Sequence, residues 1–159
     1  MIRAVNSDSP INESQTPKNQ RRGAVARVLL ADTALASRLA LKTILSAAGY
    51  EVSGAATAAE AIGKLDKREY QLVLADLRGE SEDAGRRLLA YARQKDFRPA
   101  TALISSDICE TDGPAHGSKS WTRAIHISND DVCYLLDKVA GLISKRAGRR
   151  IRQTLARAS

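Results

Sequence analysis

The chain has 159 residues, enough for one domain with a substantial core, and 43% of them are hydrophobic although only 4% are aromatic. Its net charge of +7 is uneven: residues 28–143, with 14 basic and 16 acidic side chains, carry −2, whereas residues 1–27 carry +3 and residues 144–159 carry +6. No apolar stretch approaches the ~18 residues of a membrane span, and the first residues lack the apolar block of a secretion signal, so these features disfavour a membrane-spanning or secreted protein.

The cysteines and histidines show no spacing typical of a metal site or a redox motif. Cys109 and Cys133 form no CxxC pattern, and His116 and His126 form no ligand pair with them. We therefore expect two reduced thiols in a cytoplasmic protein, and no zinc site.

The first half of the chain alternates between strand and helix patterns. Residues 1–25 are polar and lack an apolar period, which predicts a disordered leader. A short apolar strand at 26–31 is followed by helical spacing over 34–48, and Gly49 ends that helix. Alternation over 50–54 then predicts a second strand.

The pattern continues through the middle of the sequence. Thr57-Ala58-Ala59-Glu60 is a capping box that opens a second helix. The apolar run 71–75 predicts a buried third strand and ends on Asp76. A polar loop over 78–85 leads to a helix over 86–94.

The last part of the chain is less regular. A fourth strand is predicted over 99–104 and a fifth over 121–127, while glycine and proline between them, over 107–120, make a regular helix doubtful. Residues 128–131 cap a final helix whose apolar stripe continues to Leu155. Such alternation predicts an α/β fold with a parallel sheet and right-handed crossovers.

Two of the predicted strands end on a carboxylate. Asp32 follows Val28-Leu29-Leu30-Ala31, and Asp76 follows the third strand. Open parallel sheets place their chemistry beyond the carboxyl ends of the strands, so we expect these two acids in one crevice. The alternative is that each Asp only caps backbone amides of the following loop.

The order and spacing of these segments resemble the receiver domain of two-component response regulators. The resemblance rests on the first strand with Asp32, the Gly49-Tyr50-Glu51-Val52 junction, the helix opening Ala56–Ala61, the strand with Asp76 and the strand leading to Ser105. It implies a doubly wound, flavodoxin-like, five-stranded parallel sheet with strand order 2-1-3-4-5, an irregular fourth helix and an extended C-terminal helix. The receiver-like domain would span residues 26–145, followed by a basic helical tail over 146–159.

The resemblance also implies roles for individual residues. Asp76 matches the aspartate that takes a phosphoryl group from a histidine kinase or a phosphotransfer protein, and Ser105 matches the switch hydroxyl. Asp32 and Asp76 would bind Mg²⁺, a hard cation that prefers oxygen ligands. Thr33 stands where the family has a second acid, which implies a weakened magnesium site.

Three further features differ from the family pattern or add to it. The family's Lys-Pro pair after the fifth strand is absent from residues 122–127, where Arg123 and His126 are present but out of register. Trp121 falls near the family's strand-five aromatic, or else covers the sheet edge. Arg78 is a candidate ion-pair partner for Asp76 or Asp32, with a solvated loop arginine as the alternative.

The basic tail, from Lys145 to Arg157, has several interpretations. It could contact the phosphate backbone of nucleic acid, an acidic membrane surface or a partner protein, or it could be a solvated helix end. With no effector domain in the sequence, we expect any output to be delivered by contact with a partner. The long last helix also suggests a homodimer, which light scattering would test.

These observations leave three hypotheses for function. The first is a stand-alone, atypical receiver in a phosphorelay, phosphorylated on Asp76 and acting by protein–protein contact. The second is a pseudo-receiver, a binding module that no longer uses phosphorylation. The third is a nucleic-acid-associated protein that works through its tail. An ordinary enzyme is disfavoured, since the sequence has no Gly-rich phosphate loop and no nucleophile elbow.

Overall fold

The computed structural model describes residues 25–105, 124–126 and 131–158. Strands and helices alternate along these residues. In chain order the elements are β1 (Arg27–Asp32), α1 (Leu35–Ala47), β2 (Glu51–Ala55), α2 (Ala58–Lys67), β3 (Leu72–Asp76), α3 (Ala84–Gln94), β4 (Ala100–Ser105), β5 (Ala124–His126) and α4 (Val132–Arg157).

The strands form one parallel sheet in the order β2-β1-β3-β4-β5. This confirms the predicted doubly wound α/β sheet and its strand order. Because β1 lies between β2 and β3, the chain reverses its winding direction there, and the crevice of such a sheet opens at that point.

Two hydrophobic clusters cover the two faces of the sheet. Side chains alternate along a strand, so neighbouring residues of β1 and β3 enter opposite clusters. Leu29 and Val73 pack against α2 and α3, whereas Leu30 and Leu74 pack against α1 and α4. Each fully buried leucine contributes roughly 1.5–3 kcal/mol, and these layers hold the strand ends in place.

Local signals set the ends of several helices. Gly49 has φ +95°, the left-handed conformation that favours glycine, and ends α1. The Thr57 hydroxyl accepts a hydrogen bond from the Glu60 amide, and the Glu60 carboxylate accepts one from the Ala56 amide, one residue before the position of an ideal capping box. At the start of α4, the Asp131 carboxylate accepts from the Tyr134 amide at 2.8 Å.

Some predicted boundaries differ from the structure. The third helix starts at Ala84 rather than Arg86, and the described part of β5 is shorter than the predicted strand 121–127. Apart from Val25, the predicted leader lies outside the described residues, and so does the segment 107–120. Among the helices described here, none is both long enough and apolar enough to cross a bilayer.

The last helix continues well beyond the sheet. It runs without a break to Arg157, so residues 146–157 of the predicted tail are helical. Arg146 is buried and its guanidinium donates hydrogen bonds to the carbonyls of Phe97 and Arg98 in the α3–β4 connection. These two contacts tie the second half of α4 to the body of the domain.

Candidate functional site

The two strand-end acids lie side by side in the sheet. β1 and β3 are adjacent and parallel, and their register pairs the Cα atoms of Asp32 and Asp76. Both acids follow the alternation of Leu30 and Leu74, so both belong to the sheet face that packs against α1 and α4. The structure therefore brings together the two carboxylates that the sequence singled out.

Asp32 is almost completely buried, at 2% exposure. Its Oδ1 accepts a hydrogen bond from the Ala34 amide at 2.8 Å, and the Arg38 guanidinium donates to its backbone carbonyl. Its Oδ2 is also buried but has no hydrogen-bond partner among the described residues. A buried carboxylate oxygen without a donor is costly, and a cation or donor at this position would satisfy it.

Asp76 is more accessible and is held by an ion pair. Its side chain is 15% exposed. Arg78 Nε lies 3.0 Å from Asp76 Oδ1, and Arg78 Nη2 donates to Oδ2 at 3.3 Å. This two-pronged geometry matches the planar guanidinium to the carboxylate, so both Asp76 oxygens already have a positively charged partner.

Thr33 and Gly79 meet at the rim of the crevice. The Thr33 amide donates to the Asp76 carbonyl at 3.3 Å. A Cβ added to Gly79 would lie 2.5 Å from Thr33 Oγ1, closer than real contacts allow. The β3–α3 loop therefore passes directly against the Thr33 side chain, and only glycine fits there without movement.

No family model matches the chain, and no curated protein does. Solved structures do. A CheY-like receiver domain protein from Methanospirillum hungatei is 21% identical and covers 79% of this chain and 99% of its own, with a TM-score of 0.61. The response regulator TrrA from Thermotoga maritima, in complex with Mg²⁺ and beryllium fluoride, is 24% identical over 74% of this chain and 99% of its own, with a TM-score of 0.61.

A third structure contains the same Thermotoga maritima regulator bound to the histidine kinase ThkA. It is 24% identical and covers 74% of this chain and 98% of its own, with a TM-score of 0.58. The chain has the fold of a response-regulator receiver domain. The fold predicted from the sequence resemblance is thus confirmed.

Within this receiver fold, Glu80 reaches from the β3–α3 loop to another element. Its carboxylate accepts a hydrogen bond from the Ala58 amide, the first residue of α2, at 2.8 Å. A negative charge at a helix amino terminus is favourable because free amides and the helix dipole both point there. The contact bridges 22 positions in the sequence, and no local pattern in the sequence indicated it.

The remaining predicted site residues are only partly described. The Cα of Ser105 pairs with that of His126 at the carboxyl ends of β4 and β5, on the same sheet edge as Asp76. Trp121 and Arg123 lie outside the described residues.

A receiver fold implies a divalent cation, and the donors present fit one only in part. Asp32, with its unpartnered buried oxygen, and Asp76 supply two hard carboxylate ligands, the type that Mg²⁺ prefers. Thr33 adds only a neutral hydroxyl, and within the described residues no group of three acids, histidines or cysteines gathers. The Arg78 guanidinium already pairs with the Asp76 carboxylate, so it would compete with a cation bound there.

Proposed function

We propose that this chain is an atypical response-regulator receiver that accepts a phosphoryl group on Asp76 from a histidine kinase or a phosphotransfer protein. Its phosphorylated state would be read by contact with a partner protein. The observation that carries the proposal is the registered pair of Asp32 and Asp76 at the mouth of the crevice, with Asp32 Oδ2 buried and unpartnered within the described residues.

The chemistry assigns a role to each side chain. An Asp76 oxygen attacks phosphorus and an O–P bond forms as the P–N bond of the phosphohistidine breaks; the second ring nitrogen of that histidine is already protonated, so the imidazole leaves as the neutral base. Asp32 accepts the hydrogen bond of the Ala34 amide and so orients that amide beside Asp76. Asp32 and Asp76 would hold Mg²⁺, which when bound offsets the negative charge crowded around the phosphoryl group.

Arg78 controls how readily Asp76 reacts. Its guanidinium occupies both carboxylate oxygens, so one of them must be released before it can attack. The released guanidinium remains close enough to pair with phosphoryl oxygens. We therefore expect slow phosphorylation. The Arg78 cation would supply part of the charge neutralisation that a magnesium site weakened by Thr33 does not provide.

The proposal is tested with acetyl phosphate and Mg²⁺, followed by intact mass. We expect the chain to gain one phosphoryl group, the variant Asp76→Asn to gain none, and Asp32→Asn to gain it more slowly. Asp96→Asn, at an exposed carboxylate outside the crevice, is the matched control and should behave like the unchanged chain. A group that still attaches to Asp76→Asn, or none on the unchanged chain, would contradict the proposal.

The Arg78–Asp76 ion pair also supports a second candidate function, a pseudo-receiver that binds a partner without phosphorylation. In that case the guanidinium permanently neutralises Asp76, and this salt bridge has only a structural role. This candidate predicts no adduct and unchanged activity in cells for Asp76→Asn. An adduct that depends on Asp76 excludes it.

A further inference from the structure

A strongly basic groove lies at the opposite end of the sheet from Asp76. We define the basic groove as the depression of about 420 Å³ between the second half of α4 and the α3–β4 connection. It adjoins Ala100, the first residue of β4, whose Cα pairs with Leu72 at the start of β3. Asp76 ends β3, so the length of the strand separates the basic groove from the pair Asp32 and Asp76, which we call the acidic crevice.

Six of the eleven residues that line the basic groove are cationic. They are Arg93, Arg98, Lys145, Arg146, Arg149 and Arg150. None of the lining residues is acidic. Arg98, Lys145, Arg149 and Arg150 are exposed and form no ion pair with any acid in the part of the chain that the structure describes.

Arg146 forms the floor of this positive surface. It is only 6% exposed, and its hydrogen bonds go to the neutral carbonyls of Phe97 and Arg98. Burial lowers the pKa of its guanidinium below the ordinary value, repulsion from Arg150 and Arg149 acts in the same direction, and Glu69 opposes them. A buried cation beside other cations, without a contacting carboxylate among the described residues, is a favourable neighbour for an anion.

The positive surface extends along the helix. Two further depressions, of about 310 and 470 Å³, share walls with the basic groove and add Arg157 and Arg152, and the smaller one also includes the carboxylate of Asp96. From Lys145 to Arg157 the helix rises roughly 18 Å at 1.5 Å per residue. Cations spread over this length match a repeating anion better than a single compact one, since phosphates follow one another every few ångströms along a strand.

We propose that the basic groove binds the phosphate backbone of a nucleic acid strand, without reading its sequence. Arg98 contacts the strand from one wall and Lys145, Arg149 and Arg150 from the other, with Arg152 and Arg157 continuing the track along α4. No aromatic side chain lines the 420 Å³ depression, so stacking on bases contributes nothing there and the contacts are to phosphates.

The geometry disfavours an anionic membrane as the partner. The large apolar side chains on this half of α4 are Ile151 and Leu155, which are 61% and 64% exposed. At about 100° per residue they lie roughly 140° and 180° around the helix from Arg146. Inserting them into a bilayer would turn the basic groove away from the lipid headgroups, where its cations could not contribute.

The test measures fluorescence anisotropy of labelled, mixed-sequence 20-nucleotide DNA strands with the full chain between 50 and 200 mM salt. Four to six phosphate contacts predict a slope of log affinity against log salt between about −3 and −4. The variant Arg149→Glu/Arg150→Glu should bind at least about tenfold more weakly at 100 mM salt and show a flatter slope. Binding should be the same for unrelated sequences.

Two variants with the same change in net charge serve as controls. Lys42→Glu/Lys67→Glu alters exposed lysines on α1 and α2, and Arg21→Glu/Arg22→Glu alters the amino-terminal segment. Both should retain binding within about twofold, and circular dichroism should show that all variants remain folded. Equal losses in all three variants, salt-independent binding, no binding at 50 mM salt, or sedimentation with phosphatidylglycerol vesicles in place of DNA binding would overturn the proposal.

Discussion

The two ends of the sheet carry opposite charges, and these charges have different partners. At the carboxyl end, the charge of Asp76 is neutralised by Arg78, which is two residues away in the sequence. At the amino end, the buried guanidinium of Arg146 rests on carbonyl groups, and the cations around it repel one another. The negative charge of the acidic crevice is therefore partly neutralised by a side chain of the same chain, whereas the basic groove is open to an anion from outside.

A neutralised site and an open site place different demands on the fold. An ion pair between near neighbours depends little on tertiary structure. The basic groove exists only because α4 packs against the α3–β4 connection, and Arg146 maintains that packing. Changes at Arg146 should therefore affect stability more than changes at Arg78.

The largest effect is expected for Arg146→Met, which keeps most of the side-chain volume but removes two charge-assisted hydrogen bonds. The carbonyls of Phe97 and Arg98 would lose these donors, so we expect the free energy of unfolding to fall by about 2–3 kcal/mol. Chemical denaturation measures this. Arg149→Met, at an exposed neighbour on the same helix, is the control and should change stability by less than about 0.5 kcal/mol. Equal effects for the two variants would show that the buried contacts do not hold α4.

A smaller loss, about 1–2 kcal/mol, is expected for Gly79→Ala at the acidic crevice. The new Cβ would clash with Thr33 Oγ1 and force the loop or the threonine to move. In a double-mutant cycle, Thr33→Ala should recover at least half of the loss because it removes that oxygen. If the two effects simply add, the contact between Gly79 and Thr33 has no energetic consequence.

The smallest change in stability, under about 1 kcal/mol, is expected for Arg78→Ala, because this ion pair is partly exposed to solvent. The same variant should bind Mg²⁺ up to about fivefold more tightly, since a competing cation is removed from Asp76. Isothermal titration calorimetry measures the affinity. Arg86→Ala, which removes a more distant surface pair with Asp83, is the control. If Arg78→Ala changes neither stability nor magnesium affinity, the ion pair plays no part at the site.

Several features of the fold follow from short stretches of sequence. Apolar runs that end at Asp32 and Asp76 predict buried strands with their acids at one edge, because parallel strands end together. Gly49 and Thr57 mark helix ends through local hydrogen bonds and backbone conformation, so they too can be identified without coordinates.

Other features could not be predicted in this way. Glu80 caps a helix 22 positions away, and Arg146 bonds to carbonyls 48 and 49 positions away. In the sequence, Arg146 is one of six cations in a tail with no acid, and nothing in the pattern distinguishes the buried one from those in solvent.

The alternating α/β architecture and the pair of acids follow from the sequence alone, because periodicity and strand ends are local properties of the chain. Tertiary packing sets which cation of the basic tail is buried against carbonyl groups and which cations remain open to solvent. That outcome depends on elements far apart in sequence packing together, which removes some charged groups from water and leaves others facing it.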